Sequence, residues 1–176
     1  EELLKAIVNC WSSLWTARAI GYRMRNGISH DNAALAVVVQ EMVQSEVSGV
    51  LFTANPLTGL RSESVIDATF GLGEALVSGQ VEPDHFVVET ASGKLTSKTL
   101  GAKKISTRGK TGGGVENVAE EAGARQALSE EEIRQLAKLG RQVQDEYDFP
   151  QDIEWAFAHG KLYLLQSRAI TSLFAL

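Results

Sequence analysis

The sequence predicts an α+β fold in which helices pack against a largely antiparallel sheet. Helical periodicity occupies residues 3–25 and a second stretch that begins at Ser129. Between and after them lie short runs rich in β-branched residues, separated by turn residues. Strands joined by such short connections pair as antiparallel neighbours. At 176 residues, of which 44% are hydrophobic, the chain is long enough to bury a core of its own.

Composition narrows the class of protein. The net charge is -5 and the basic residues form no long stripe, which disfavours nucleic-acid binding. The single cysteine, Cys10, excludes an internal disulfide and predicts a reducing, cytoplasmic setting. No apolar run approaches the roughly 18 residues of a membrane span. The sequence begins inside a helical pattern without an initiator Met, so we expect a piece of a longer protein.

The first element is predicted to be one helix over residues 3–25, ended by Asn26 and Gly27. Its apolar and aromatic residues recur mostly at three- and four-residue steps, and we expect this stripe to pack in the core. The stripe consists of Leu4, Ile7, Val8, Trp11, Leu14, Trp15, Ala19 and Tyr22. Cys10, in the same helix, is expected to be an inert core residue.

Five strands are predicted next because each run is rich in β-branched or aromatic residues and ends at a turn cluster. Their ranges are 35–43, 48–53, 64–70, 85–90 and 95–104. The first of them is expected to be buried. The Gly-rich stretch 71–79 is predicted to turn the third strand into a short helix.

The stretch 106–125 changes composition, with three consecutive glycines, several Glu and few large apolar residues, and is predicted to be a mobile surface loop. Ser129 and Glu132 have the spacing of a capping box, which predicts the start of the next helix. Its buried face is expected to comprise Ile133, Leu136, Gly140, Val143 and Tyr147.

A hairpin is predicted over residues 151–168, because two runs of alternating character flank a His-Gly turn. A three-residue loop, His159 to Lys161, keeps polar and apolar faces separate. That loop gives four expected cross-strand pairs: Phe157 with Tyr163, Trp155 with Leu165, Glu154 with Gln166, and Asp152 with Arg168.

The polar face of this hairpin carries two carboxylates, an amide and a guanidinium. Hard divalent cations take oxygen ligands, and Arg binds phosphate oxygens, so the set suits a cation with its phosphates. An ordinary solvated face with an Asp152–Arg168 pair would give the same pattern. The hairpin pattern alone therefore leaves both interpretations open.

Two further motifs carry weaker signals. The stretch 71–75, Gly-Leu-Gly-Glu-Ala, is a candidate phosphate loop, although a plain strand-to-helix turn explains it equally well. Residues Gln40, Glu41, Met42 and Val43 could offer backbone groups to an adenine, with Met42 or Val43 packed on the ring; an ordinary edge strand would look the same. The three histidines have no metal-site spacing.

Taken together, these motifs resemble the nucleotide-binding domain of the phosphoenolpyruvate synthase (pyruvate, water dikinase) family. Its relatives include pyruvate phosphate dikinase and the rifamycin phosphotransferases. The matching segments run in the family's order across nearly the whole chain. They are residues 11–19, 39–43, 48–53, 71–79, 83–84, 152–155 and 165–168.

The resemblance implies an ATP-grasp fold, with residues 1–176 as the C-terminal lobe of the nucleotide-binding domain. By the family pattern, Glu154 and Gln166 would bind Mg²⁺ and the phosphates of ATP. Arg168 would contact phosphate as a catalytic residue. Residues 40–43 would hold adenine, and Glu74 matches a position expected to hold the ribose.

The resemblance also implies partners. A second ATP-grasp lobe is expected before Glu1, and a swivelling domain that carries the phosphorylated histidine is expected after Leu176. ATP would phosphorylate that histidine, which passes the group to pyruvate or another acceptor. We therefore expect residues 1–176 alone to be inactive.

Two alternatives stay open: a rifamycin phosphotransferase, and a non-catalytic nucleotide-binding module. The presence of Glu154, Gln166 and Arg168 together argues against the non-catalytic module.

Overall fold

The computed structural model describes residues 1–110, 113–121 and 123–171. The chain divides into two compact units, Glu1–Met42 and Val43–Leu176. Its helices are α1 (Glu2–Ser12), a 3₁₀ helix (Ser13–Trp15), α2 (Ala17–Arg25), α3 (Glu74–Val77) and α4 (Glu130–Tyr147). Its strands are β1 (Val47–Phe52), β2 (Glu63–Phe70), β3 (Asp84–Glu89), β4 (Leu95–Thr99), β5 (Ile105–Gly109), β6 (Val115–Ala119), β7 (Gln151–Ala158) and β8 (Lys161–Ala169). Among the described residues, no helix is long and apolar enough to cross a membrane.

The first unit contains two helices where the periodicity predicts one. The break falls at Thr16, whose backbone is extended (φ -67°, ψ 151°) and whose Oγ1 accepts a hydrogen bond from the Ala19 N–H. This is an N-cap, which starts α2 as a separate helix. The helix ends at Asn26, followed by Gly27 with φ 66°, as predicted.

The aromatic stripe of this unit is exposed, so the prediction that it packs in a core is wrong. Trp11, Trp15 and Tyr22 are 51%, 59% and 56% exposed, and Cys10 is exposed as well. Periodicity marks the face of a helix that can be covered, but a core forms only where another element covers it. The buried residue of α2 is instead Arg23, whose side chain donates to Leu14 O at 2.7 Å and to His30 Nδ1 at 2.9 Å.

The buried strand predicted over residues 35–43 is also wrong. This segment has no regular secondary structure, and Val38 is 81% exposed. β-branched residues favour an extended backbone, but a strand also needs a neighbour that accepts and donates its ladder hydrogen bonds. No described residue pairs with this segment.

The second unit is built on a six-stranded sheet in the order β4-β3-β2-β1-β7-β8, in which every neighbouring pair is antiparallel. The α+β class with a largely antiparallel sheet is therefore confirmed, and it is consistent with an ATP-grasp lobe. Strands β1 to β4 are neighbours in chain order, whereas β7 lies beside β1 after the β5–β6 pair and α4. The central strands are consequently β2 and β1.

The two faces of the sheet differ in character. On one face, Leu51 pairs with Ile66 and Ile153, and all three are fully buried in the core with α4. On the other, Val50 pairs with Asp67 and Glu154, and all three are only half-buried. We call this second side the polar face of the sheet. Strand alternation thus separates the core from the residues available to a ligand.

The prediction of a mobile loop over residues 106–125 is wrong. Residues 106–109 and 115–119 belong to the antiparallel pair β5–β6, which joins the segment after β2 through a hydrogen bond from Leu72 N to Thr107 O at 2.8 Å. Glycines supply only the turn, where Gly113 and Gly114 have φ of 104° and 79°. Parts of the predicted loop, Thr111, Gly112 and Ala122, lie outside the described residues. The low hydrophobicity of this stretch is that of a partly exposed two-stranded ribbon and does not indicate an irregular loop.

The helix α4 begins as predicted. Ser129 Oγ accepts from the Glu132 N–H, and Glu132 Oε2 accepts from the Ser129 N–H at 2.7 Å, which forms the capping box. Its buried residues are Ile133, Leu136, Ala137, Gly140 and Val143. Tyr147, expected on this face, is instead 63% exposed.

A buried ion pair ends β4 earlier than predicted. The strand expected to reach residue 104 stops at Thr99, and Lys103 turns inward with φ 37° to pair with Asp84. Both side chains are 0% exposed. The Asp84 carboxylate also accepts from Gly101 N at 3.0 Å and Ala127 N at 2.7 Å. Two separate segments, one with Gly101 and Lys103 and one with Ala127, are therefore fixed to one buried carboxylate on β3.

Replacement of Lys103 by Met should destabilise the second unit by about 3–5 kcal/mol, because it leaves the Asp84 carboxylate buried without its counter-charge. Urea unfolding of the protein measures the loss. The exposed Lys138 on α4 gives the matched control: Lys138→Met should change stability by less than about 0.5 kcal/mol. Equal effects of the two substitutions would contradict the assigned role of the pair.

Candidate functional site

The hairpin β7–β8 turns through two residues, and the three-residue loop expected from the sequence is wrong. Ala158 pairs with Lys161, and the turn residues His159 and Gly160 have φ of 52° and 72°. Positive φ at both central positions is the geometry of a type I′ turn, whose twist matches that of antiparallel strands. The sequence prediction favoured an odd loop only because it separated the faces.

The two-residue turn alters the cross-strand pairs close to it. Phe157 lies opposite Leu162 and Trp155 opposite Leu164, so the predicted Phe157–Tyr163 and Trp155–Leu165 pairs are wrong.

A β-bulge restores the expected pairing farther along. The register shifts between Trp155 and Glu154, with Leu165 as the extra residue of β8. Beyond it Glu154 lies opposite Gln166, and Asp152 lies opposite Arg168, as the sequence predicts. The bulge supplies the one residue that the shorter turn lacks.

Glu154 and Gln166 form an oxygen-bearing pair on the polar face. Glu154 is half-buried, lies between Val50 and Gln166 in the sheet, and makes no hydrogen bond or ion pair with the described residues. Gln166 is exposed. A half-buried carboxylate without a protein partner has its oxygens available to a cation.

Arg168 already has a partner. Its Nε and Nη2 lie 2.9 Å and 2.7 Å from Oδ2 of Asp152, whose side chain is 12% exposed. The guanidinium itself remains 66% exposed. Because it has five N–H donors, it can keep this ion pair and still donate to a second anion. The carboxylate of Asp152 thus positions the arginine beside Glu154.

The polar face of the sheet carries a second pair, Asp67 and His85, that the sequence analysis missed. Glu154, Val50, Asp67 and His85 are successive cross-strand neighbours, and His85 Nδ1 lies 2.7 Å from Asp67 Oδ1. The two residues are 18 positions apart, so only the register of β2 and β3 brings them together. The alternation of each strand places them on the polar face, but the strand register was not predicted.

The remaining predicted residues lie outside this set of cross-strand neighbours. Glu74 opens α3 and lines a small cavity of about 100 Å³ with Thr107 and Asn117. Gly71 N donates to Glu46 O and Leu72 N to Thr107 O, so these amides are already satisfied within the chain. These two amides are therefore not available to a phosphate, and the loop role of 71–75 stays a prediction.

The residues predicted to hold adenine lie partly in another unit. Gln40, Glu41 and Met42 are exposed and belong to the first unit, whereas Val43 opens the second. Their expected role in holding adenine stays a prediction.

The donor set for a metal is small. Across residues 1–110, 113–121 and 123–171, no group of three or more His, Cys, Asp or Glu is placed to hold a metal ion. Glu154 and Gln166 together offer two oxygen ligands from adjacent strands. A cation here would take its other ligands from water or from a bound anion.

Comparison with known proteins identifies the class as an adenine-nucleotide-binding domain. Residues 1–174 match the family model described as "Pyruvate phosphate dikinase, AMP/ATP-binding domain". The chain therefore belongs to this family.

Curated relatives cover nearly all of the chain. It is 45% identical over 183 residues to the phosphoenolpyruvate synthase of Pyrococcus furiosus, a match that covers 98% of the chain and 22% of the relative. It is 46% identical over 176 residues to the rifampicin phosphotransferase of Bacillus subtilis, with 99% and 20% covered. A probable phosphoenolpyruvate synthase of Methanothermobacter thermautotrophicus is 46% identical, with 98% and 25% covered. The chain thus spans about a fifth to a quarter of the length of these relatives.

The turn that starts β8 gives a test of the hairpin. Gly160→Ala should destabilise the protein by about 1 kcal/mol, because φ of 72° is unfavourable for any residue with a Cβ atom. Nothing lies within 4 Å of the added Cβ, so the effect is conformational and not steric. Thermal unfolding measures it.

The control for this substitution is Gly21→Ala in α2, where the backbone is helical and alanine should be neutral or stabilising. An unchanged melting temperature for Gly160→Ala would contradict the assigned turn.

Proposed function

We propose that residues 1–176 form the C-terminal lobe of an ATP-grasp domain in a phosphoenolpyruvate synthase-type enzyme. In this proposal the lobe holds Mg-ATP for transfer of a phosphoryl group to a histidine on a separate domain and then to pyruvate. The observation that carries the proposal is the juxtaposition of Glu154 with Gln166, next to Arg168, on one face of a rigid hairpin. The family to which the chain belongs binds AMP or ATP.

The donor set fits Mg²⁺ on chemical grounds. Mg²⁺ in phosphoryl-transfer sites is held by one or two protein oxygen ligands, with the remaining positions filled by water and substrate phosphates. Glu154 supplies a carboxylate and Gln166 an amide oxygen from facing positions of β7 and β8. When bound, Mg²⁺ would neutralise phosphate charge and polarise the transferred group. The chain's own residues orient that complex and hold it against the sheet.

Arg168 is proposed to stabilise negative charge on the phosphates. Its Nη2 and Nε lie 2.7 Å and 2.9 Å from Oδ2 of Asp152, two residues before Glu154 on the same face of β7. This ion pair holds the guanidinium in place and so reduces the conformational freedom lost on binding. Its remaining N–H groups can donate to phosphate oxygens. We therefore assign Arg168 a catalytic role and Asp152 a positioning role.

The nucleoside end of ATP is proposed to lie on other segments. Residues Gln40, Glu41, Met42 and Val43 would contact adenine, and Glu74 would hold the ribose. The other lobe of the ATP-grasp domain and the histidine domain would come from the same protein, which fits the small share of each relative that the chain covers. The single cysteine fits a reducing cytoplasm.

Glu154→Gln should weaken Mg-dependent ATP binding to the complete protein by at least about tenfold, because an amide cannot supply the anionic ligand that the cation requires. Titration calorimetry with ATP, in the presence and absence of Mg²⁺, separates the metal-dependent part. Turnover should fall in parallel.

The matched control for Glu154→Gln is Glu89→Gln, at an exposed position of the same sheet, which should leave binding unchanged. If Glu154→Gln keeps the metal dependence and turnover of the parent protein, Glu154 is not the metal ligand.

A rifampicin phosphotransferase is the second candidate function, since the chain is as similar to such an enzyme in Bacillus subtilis as to the synthases. Both would use the same lobe and differ in the acceptor. Incubation of the complete protein with ATP and either pyruvate or rifampicin distinguishes them. Phosphoenolpyruvate should form if the first proposal holds, and phosphorylated rifampicin if the second does.

ATP binding without transfer to either compound, and without histidine phosphorylation, would indicate a non-catalytic nucleotide-binding module.

A further inference from the structure

A second cleft, with a volume of about 460 Å³, lies between the start of β1, the end of β2 and the β5–β6 ribbon. The residues of interest in its walls are Glu46, Phe70, Ser106, Arg108, Glu120 and Arg125. All of them belong to the second unit. The volume is within the range of small-molecule sites.

This cleft is lined by none of the residues assigned to the nucleotide, although Gln44 in its wall directly follows Val43. Phe70 shares the core side of β2 with Ile66 and Ala68, whereas Glu154 lies on the polar face. On β5, Ser106 lines the cleft and the next residue, Thr107, lines the small cavity of Glu74. Because successive strand residues point to opposite sides, the two cavities lie on opposite sides of β5.

Arg125 presents a cation without a carboxylate partner. Its guanidinium carbon lies 5.3 Å from the centroid of the Phe70 ring, a cation–π contact that holds it at the cleft. It makes no ion pair or side-chain hydrogen bond with the described residues. The face of Phe70 thus positions the guanidinium and leaves its N–H donors available.

Arg108 is only weakly paired. Its Nη2 lies 3.9 Å from Glu120 Oε2, beyond hydrogen-bond distance, and its side chain is 62% exposed. An exposed ion pair of this kind contributes little to stability. A second anion in the cleft could therefore recruit Arg108.

Ser106 lies in the wall of the cleft beside Arg108. The residue is 1% exposed, and its Oγ is enclosed, with no hydrogen-bond partner among the described residues. Because a ligand atom needs open space beside an oxygen to bond with it, this hydroxyl is out of reach of an anion in the cleft. Such an anion would therefore be held by the two arginines.

We propose that this cleft is a binding site for a small oxyanion, a phosphate or carboxylate group, held by Arg108 and Arg125. Guanidinium groups bind such anions through paired N–H donors. Two carboxylates, Glu46 and Glu120, also line the cleft, so the four charged side chains sum to zero. This balance selects a ligand of low charge over a polyphosphate.

The test is titration of inorganic phosphate into the complete protein, with the ATP site filled by a saturating Mg complex of a non-hydrolysable ATP analogue. Calorimetry should show saturable binding at one site. Arg125→Gln and Arg108→Gln should each weaken it by about tenfold, the usual effect of losing one charged hydrogen-bonding group. Arg134→Gln, on α4 outside the cleft, should leave it unchanged.

Two further variants separate a ligand role from a structural one. Glu120→Gln should tighten phosphate binding, because it releases Arg108 and removes a repelling charge. Ser106→Ala should leave phosphate binding unchanged, because its hydroxyl is enclosed away from the cleft, and should not lower the melting temperature in phosphate-free buffer, since that hydroxyl has no partner to lose. Competition by acetate would identify a carboxylate ligand, and its absence would identify phosphate.

Absence of saturable phosphate binding to the parent protein would overturn the proposal. Equal affinity in the parent protein and in Arg125→Gln would overturn it as well. If the protein binds no nucleotide, the same titration without the analogue still tests the cleft, so the two proposals fail independently.

Discussion

The buried Asp84 carboxylate holds the second unit together. It accepts hydrogen bonds from the Lys103 ammonium group and from the backbone N–H groups of Gly101 and Ala127. These bonds tie the start of β3 to two otherwise irregular segments. One of these segments leads into β5, and the other leads into α4. Both oxygens of this carboxylate accept hydrogen bonds, which offset the cost of burying the charge. The placement of the ribbon and of the helix that covers the core depends on this pair.

Strand composition, turn clusters and the capping box were sufficient to predict much of the second unit, although not the β5–β6 pair. They predicted β1, β2 and β3 to within a few residues, and the helix that starts after Ser129. Predictions were wrong where a segment's environment decides its structure. The run 35–43 has the composition of a buried strand, and Trp11 and Trp15 have the spacing of a core helix, but no neighbouring element completes them within the described residues. Local sequence reports what a segment can form, and packing decides whether it does.

The residues of the candidate site likewise fall into those that the sequence predicted and those that depend on packing. The pairs Glu154–Gln166 and Asp152–Arg168 were predicted from one hairpin, and they came out right because the bulge at Leu165 offsets the extra residue in the predicted turn. The Asp67–His85 pair and the Ser106 cleft could not be predicted, because each depends on contacts between strands whose register the sequence does not encode locally. A buried hydroxyl without a partner is visible only once the surrounding atoms are placed. Sites within one supersecondary motif are thus more predictable than sites between motifs.

The bulge at Leu165 has a consequence for how such hairpins can change in evolution. With a two-residue turn and one bulged residue, Glu154 faces Gln166. A three-residue turn without the bulge would give the same facing pair. An insertion at the turn and a deletion at the bulge therefore compensate: the turn can change its length while the number of residues between the carboxylate and its amide stays the same. Alignments through residues 159–165 should accordingly be anchored at the far ends of the two strands, where the side chains are held in register.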